Sequence, residues 1–234
     1  MTLLIRIAFS VLFVNMLLLS SCTKKDTPNP TSTSSGTYFP TTANSTWHYQ
    51  DYGYTDDVTI TGVSRIINGI TYYQVSDIAD TVGATPYISW FYKTGNKYYA
   101  VDSNSNITTL NPLVLKFIDL DLPIRTTWST TFPTSSISTG TTTSQVLYTG
   151  LSKTINNISY NNVIAVQNVS TGAFTPAYIA SLSSIYTPTQ IQALENELSQ
   201  ANIDTIYFAL EIGVIEESSP LPEEQETLLT YSIK

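Results

Sequence analysis

Cys22 is the only cysteine and His48 the only histidine in this chain of 234 residues, and those two counts remove most chemistry before any fold is considered. A lone cysteine forms no internal disulfide and no multi-thiolate metal site. A Ser-His-Asp or Cys-His arrangement would have to be built on His48. That residue sits between Trp47 and Tyr49, where strand alternation turns it away from both aromatics and toward solvent if these face a core. Asp102-Ser-Asn104-Ser-Asn106 offers oxygens at the first, third and fifth positions of a calcium loop. Ile107 stands where that loop needs Gly and Leu113 where it needs a bidentate acid, so the segment reads as a polar turn. Asp119 and Asp121 share one strand face and are spaced to act as acid and base, but alternating acids are also what a solvent-facing edge presents, and the edge reading is adopted. Gly-rich phosphate loops are missing, and Glu216-Glu217 and Glu223-Glu224 read as solvated turns. The expectation is a protein without enzymatic activity, metal or cofactor.

The chemistry that Cys22 does support is acylation. Met1 to Arg6 leads into an apolar run from Ile7 to Leu19, interrupted by Ser10 and Asn15, and then Leu19-Ser20-Ser21-Cys22. This is the layout of a signal peptide over residues 1–21, and its apolar run falls short of the roughly 20 residues that span a bilayer as a helix. Leu-Ser-Ser-Cys resembles the bacterial lipobox, in which the chain is cleaved before a cysteine that then carries lipid. More than one acyl chain holds a protein stably on a membrane, each buried methylene contributing about 0.8 kcal/mol. Residues Thr23 to Thr37 contain no apolar side chain and cannot offset the entropy of ordering, so residues 22–37 read as lipidated cysteine and flexible tether.

Formal charge is -8. Cleavage after residue 21 removes one basic side chain, Arg6, and leaves 9 basic against 18 acidic. This balance excludes a nucleic-acid-binding surface, which needs clustered Lys and Arg. Charged residues are only 12% of the chain while Thr, Ser, Asn and Tyr abound, a composition of exported β-proteins.

From Tyr38 onward aromatic and β-branched residues alternate with polar ones, as in Trp47-His-Tyr49, Val58-Thr-Ile60 and Tyr98-Tyr-Ala-Val101. Asn68-Gly69 lies between two such runs and predicts a type I′ hairpin, and Lys93-Thr-Gly95-Asn96-Lys97 predicts a second. An internal echo follows. Gly62-Val-Ser-Arg-Ile-Ile-Asn68-Gly-Ile-Thr-Tyr72 matches Gly150-Leu-Ser-Lys-Thr-Ile-Asn156-Asn-Ile-Ser-Tyr160. Trp47 precedes one copy as Trp128 precedes the other, and Trp90-Phe-Tyr corresponds to Tyr207-Phe-Ala. The expectation is an all-β, antiparallel domain over residues 38–234, a sandwich or half-barrel of two halves, 38–110 and 120–234, related by duplication or sharing only a local hairpin. One amphipathic helix is expected at Thr187-Pro188 to Leu198, where Ile191, Leu194 and Leu198 would cover a sheet face or close a barrel end.

Sixteen tyrosines, eight phenylalanines and three tryptophans exceed what turns and charge demand, and Tyr52, Tyr54, Tyr72, Tyr73, Tyr98 and Tyr99 are the candidate aromatic binding surface for a glycan or peptide. With these residues laid out, nearly all of the mature chain resembles the Bacteroidetes-type secreted lipoproteins of uncharacterised function. The likeness is carried by Tyr38-Phe39-Pro40-Thr-Thr-Ala-Asn-Ser-Thr-Trp47-His48-Tyr49, by Asn68-Gly69, by Trp128 and by Tyr207-Phe208-Ala-Leu-Glu-Ile-Gly213-Val214, with a departure at Ala43-Asn44, where Val-Gly is common. It implies a β-rich lipoprotein of the cell envelope and carries no catalytic residues to transfer. The functional expectation is a membrane-anchored, non-enzymatic binding or structural module, with surface glycan or peptide capture as the alternative and a hydrolase behind both. Its partners would be the membrane through the lipid and a glycan, peptide or envelope protein. Thr23 follows the lipidated cysteine and Asp is absent from that position, so the resemblance to lipoproteins of Gram-negative bacteria implies the outer membrane, on its periplasmic or its surface face.

Overall fold

The computed structural model describes residues 36–51, 53–80, 84–101, 114–220 and 225–234. Cys22, the signal segment, most of the tether, Tyr52, the polar turn from Asp102 and Glu223-Glu224 lie outside these residues. The alternating segments become twelve strands: β1 (Thr46–Asp51), β2 (Tyr54–Ile67), β3 (Ile70–Ala79), β4 (Tyr87–Thr94), β5 (Lys97–Val101), β6 (Val114–Asp119), β7 (Thr127–Pro133), β8 (Ser138–Ile155), β9 (Ile158–Phe174), β10 (Asn202–Ala209), β11 (Gly213–Ser218) and β12 (Glu226–Ser232). All join one antiparallel sheet in the order β6-β5-β4-β3-β2-β1-β12-β11-β10-β9-β8-β7.

Two up-and-down runs of six strands are therefore sewn together by β1 against β12, from Thr46 opposite Ser232 to Asp51 opposite Glu226. The free edges, β6 and β7, meet without a hydrogen-bonded ladder. Trp128 on β7 donates its indole N–H to the Lys116 carbonyl on β6 at 2.8 Å, and the Lys116 ammonium lies 5.3 Å over the Trp128 ring. The sheet is thus a nearly closed barrel. Of the two expected architectures it is the half-barrel, carried almost to closure, and not a sandwich.

Both copies of the sequence echo serve as the second and third strands of their runs, β2–β3 and β8–β9. Asn68 and Gly69 hold φ of 53° and 78°, and Asn156 and Asn157 hold 50° and 64°, the paired positive φ of a type I′ turn. Gly62 at φ 83° and Gly150 at φ 69° fall where the β2–β3 and β8–β9 registers slip, so the echoed glycine is a bulge position where a long strand bends around the barrel. Trp47 and Trp128 lie on the first strands of the runs, Trp90 and Tyr207 on the fourth. The first run includes β6 and so extends to Asp119, beyond the expected limit of residue 110.

Inward positions fill the barrel with one apolar cluster that includes Trp47, Tyr49, Ile60, Phe91, Tyr98, Ile118, Val166, Phe208, Ile215 and Leu228. The segment before β1 plugs one end. Phe39 packs against Phe91 at 4.3 Å and Trp47 at 5.8 Å, the Tyr38 N–H donates to the Tyr98 hydroxyl, the Thr37 carbonyl accepts from the Glu211 N–H, and the Trp47 indole donates to the Ile212 carbonyl. These contacts give the Tyr-Phe-Pro…Trp-x-Tyr motif a physical role as an end cap.

Two helices, not one, connect β9 to β10: α1 (Pro176–Leu182) and α2 (Pro188–Leu198). Each begins with a Thr cap, Thr175 or Thr187, followed by Pro, and Thr187 with Gln190 forms a full capping box. Helix α1 escapes a periodicity reading because it has only 7 residues, too few to reveal a 3.6-residue stripe. Ile191 is buried, Leu194 and Leu198 are half-buried, and among the described residues neither helix is long and apolar enough to cross a membrane.

Candidate functional site

The end of the barrel opposite the plug is built differently. Strand β1 runs from Trp47 at the plugged end to Asp51, and Asp51 stands opposite Glu226 on β12 and Tyr54 on β2. Glu226 in turn stands opposite Glu217 on β11, and Asp77 on β3 stands opposite Val58. Strand alternation shows where these side chains point. Asp51 is in phase with Trp47 and Tyr49, Asp56 with Val58 and Ile60, Asp77 with Val75, Glu217 with Ile215 and Glu226 with Leu228, and all of those apolar residues belong to the interior cluster. Five carboxyl groups on five neighbouring strands therefore face into one end of the lumen.

Burial is graded. Glu226, Asp51 and Asp56 are 2%, 3% and 4% exposed, whereas Asp77 and Glu217 are half-buried. Among the described residues both carboxyl oxygens of Glu226 are buried without a hydrogen-bond partner, as is the Tyr54 hydroxyl. An unpaired buried polar group costs on the order of 1–3 kcal/mol, and an unpaired charge more. Burial, reinforced by Glu217, Asp56, Asp77 and Asp51, holds the Glu226 carboxyl well above the usual carboxylate range. Asp77 is pushed up to about 7 by burial and then by Asp56. Asp56 is raised by burial, with Asp51 and Asp57 adding to it and His48 opposing. The Tyr49 phenol, whose hydroxyl donates to the Val214 carbonyl at 3.0 Å, is raised well above its ordinary value by burial and next by Glu226.

The wall formed by β8 and β9 is polar. Beyond Val146 and Val166, the same face of β8 and β9 carries Ser144 bonded to Asn168 at 2.7 Å and Thr142 bonded to Ser170 at 3.0 Å. Further out on that face Gly172 lies under Leu198 of α2, which a Cβ at Gly172 would meet at 2.9 Å. Helix α2 therefore covers the inward face where β8 and β9 extend past the barrel. An end ringed by acids, walled by hydroxyls and amides, can take up protons or hold a positive charge. Among the described residues no three His, Cys, Asp or Glu side chains are grouped closely enough to hold a metal ion.

The tyrosines singled out from the sequence do not form one exposed surface. Tyr54, Tyr72 and Tyr98 are 8%, 4% and 1% exposed, Tyr73 and Tyr99 are half-buried, and Tyr52 lies outside the described residues. They also divide between two faces. Tyr98 is in the interior, with Tyr73 packed against the same cluster, while Tyr72 joins Trp90, Tyr92 and Val101 in a second cluster, with Tyr99 stacked on Tyr92 at 4.5 Å. Alternation of large aromatics on both faces, which suggested exposure, instead fills two clusters. Asp119 is not on a solvated edge. It is 2% exposed, paired with Lys116 at 2.6 Å, and it accepts from the Asp121 N–H. Asp121 binds Lys97 at 3.3 Å, so both acids are engaged in structural contacts beside the β6 edge. Glu216 and Glu217 lie on β11, not in a turn, and Glu216 pairs with Lys153 at 2.9 Å. His48 turns away from Trp47 and Tyr49 and meets Asp57 at 2.6 Å on the outside of the barrel.

Sequence reasoning missed Glu226, Asp51, Asp56 and Asp77. A signal was present: in Trp47-x-Tyr49-x-Asp51 and Asp56-x-Val58-x-Ile60 the acids keep step with core-facing residues.

No known protein family matches the chain, and no curated protein matches it. Among solved structures it is similar to a candidate lipoprotein from Parabacteroides distasonis, with a TM-score of 0.49, 8% identity, and coverage of 83% of this chain and 98% of that one.

Proposed function

We propose that this protein is a lipid-anchored, non-enzymatic binding module of the cell envelope, held by acylated Cys22 on the outer membrane and using the acidic end of its barrel as the binding element. The observation that carries the reading is the Glu226 carboxyl, 2% exposed with neither oxygen partnered. A fold of this size has ample apolar alternatives for one inward position, and a group that weakens the empty protein is what a site waiting for a ligand contains. Catalysis is disfavoured because the single histidine is outside the barrel and paired with Asp57, leaving the acids no imidazole to work with.

The comparison of Glu226→Gln with the wild-type chain by urea denaturation at pH 7.5 tests this. Gain of stability, on the order of 1–3 kcal/mol, is expected for a group retained for binding, and a loss would show Glu226 to be structural and overturn the reading. The anchor is tested separately by metabolic labelling with radioactive palmitate, where Cys22→Ala should lose both label and membrane fractionation.

A further inference from the structure

We infer that the acidic end of the barrel binds an organic cation rich in N–H donors, a primary ammonium or guanidinium head seated against the Glu226 carboxylate. The inference rests on the binding reading above and specifies its ligand.

Two features beyond the number of acids point to such a ligand. The first is the pair of orphaned acceptors. Among the described residues Glu226 has no hydrogen-bond partner for either oxygen, and the hydroxyl of Tyr54, a residue 8% exposed and across the strand pair from Asp51, has none either. Both can accept from N–H groups, and an ammonium offers three donors and a guanidinium five. The second is the spread of the site. Its acids lie on consecutive strands β11, β12, β1, β2 and β3, and neighbouring strands are about 4.8 Å apart, so the row extends over roughly 19 Å. A divalent metal gathers oxygens to within about 2.6 Å of one point, which agrees with the absence of a metal-holding group among the described residues. An extended cation can touch one acid directly and be attracted by the rest. Asp77 and Glu217 are half-buried and close enough to act on the enclosed Glu226, and the Tyr49 ring, on which Glu226 also acts, suits a cationic head.

A free amine and a basic side chain of a peptide present the same head, so the test carries both. The full chain, purified in neutral detergent, is titrated calorimetrically at pH 7.5 and low salt with cadaverine, agmatine, an arginine-containing tripeptide amide and calcium chloride. Saturable binding of at least one organic cation is expected, weakened at least tenfold in Glu226→Gln and in Asp77→Asn and unchanged in Asp57→Asn on the outer surface. Preference for agmatine or cadaverine over the tripeptide would identify a small amine, and the reverse a peptide. Failure of all three organic cations to bind, or binding indifferent to Glu226→Gln, overturns the inference, and so does binding of calcium alone. Should Glu226→Gln be stabilised while no organic cation binds, the ligand class is wrong and the binding module stands; should it be destabilised, both fall.

Discussion

The two ends of the barrel share strands and differ in nearly everything else. At the plugged end the polar groups named above have partners: the Trp47 indole meets the Ile212 carbonyl, the Tyr98 hydroxyl accepts from the Tyr38 N–H, and Phe39 fills the space between Phe91 and Trp47. At the other end of β1, four residues on and about 13 Å away at strand rise, Asp51 belongs to a row of acids in which Glu226 has no hydrogen-bond partner among the described residues. The polar groups named at the plugged end are satisfied, whereas the far end keeps buried groups that oppose folding.

The largest effects should come from breaking the plugged end. Trp47→Ala removes an inward indole that is 2% exposed together with its bond to Ile212, and should cost about 3–5 kcal/mol in urea denaturation. At the acidic end the lever is pH. A carboxyl whose value is raised by folding contributes stability that is fully present below the unfolded value and is lost as pH rises through the folded one. For Asp77, moved from 3.8 to about 7, the loss over that interval reaches about 4 kcal/mol at most. The domain should therefore unfold more easily at pH 8 than at pH 5, and Asp77→Asn should flatten the slope between pH 4 and 7. Trp47→Ala should lower the whole profile without changing its shape, which separates the two ends in one set of curves.

A smaller effect sharpens a second contrast, between the hydrogen-bonded β1–β12 junction and the unpaired β6–β7 edges. Trp128→Phe keeps an aromatic ring but loses the pyrrole part of the indole with the N–H donated to Lys116. It should cost about 1 kcal/mol and raise amide exchange in β6 and β7 while leaving β1 and β12 protected. Smallest is Thr187→Ala, which removes the cap of α2. A loss of about 1 kcal/mol is expected, read as loosened protection in α2 alone.

Much of the barrel was legible in the sequence because its strands alternate cleanly and its hairpins need residues that tolerate positive φ. Asn68-Gly69 fixed a register, and the echo around Asn156 placed a second hairpin at the same position of the next run. Closure was not legible: it depends on the Trp128–Lys116 contact, which no local pattern encodes, and alternation alone serves a sandwich equally well. The tyrosines were misplaced for a related reason. Tyrosines stand out by number, but a phenol's place is decided by which strands lie across from it, and Tyr98 and Tyr72 found apolar neighbours on opposite faces. The acids were passed over because Asp and Glu are ordinarily outside. Their phase against Tyr49, Ile60 and Leu228 placed them inside, and phase is readable only once the core face is known.

The enclosure of Glu226 without a partner is tested most directly by titrating its side-chain carboxyl carbon by NMR from pH 3 to 9, assigned with Glu226→Gln, before and after agmatine is added. A midpoint far above the ordinary 4.5 without agmatine, and a fall when the cation is present, are expected. A midpoint near the ordinary value without any ligand would mean that Glu226 is already satisfied and would overturn the binding reading.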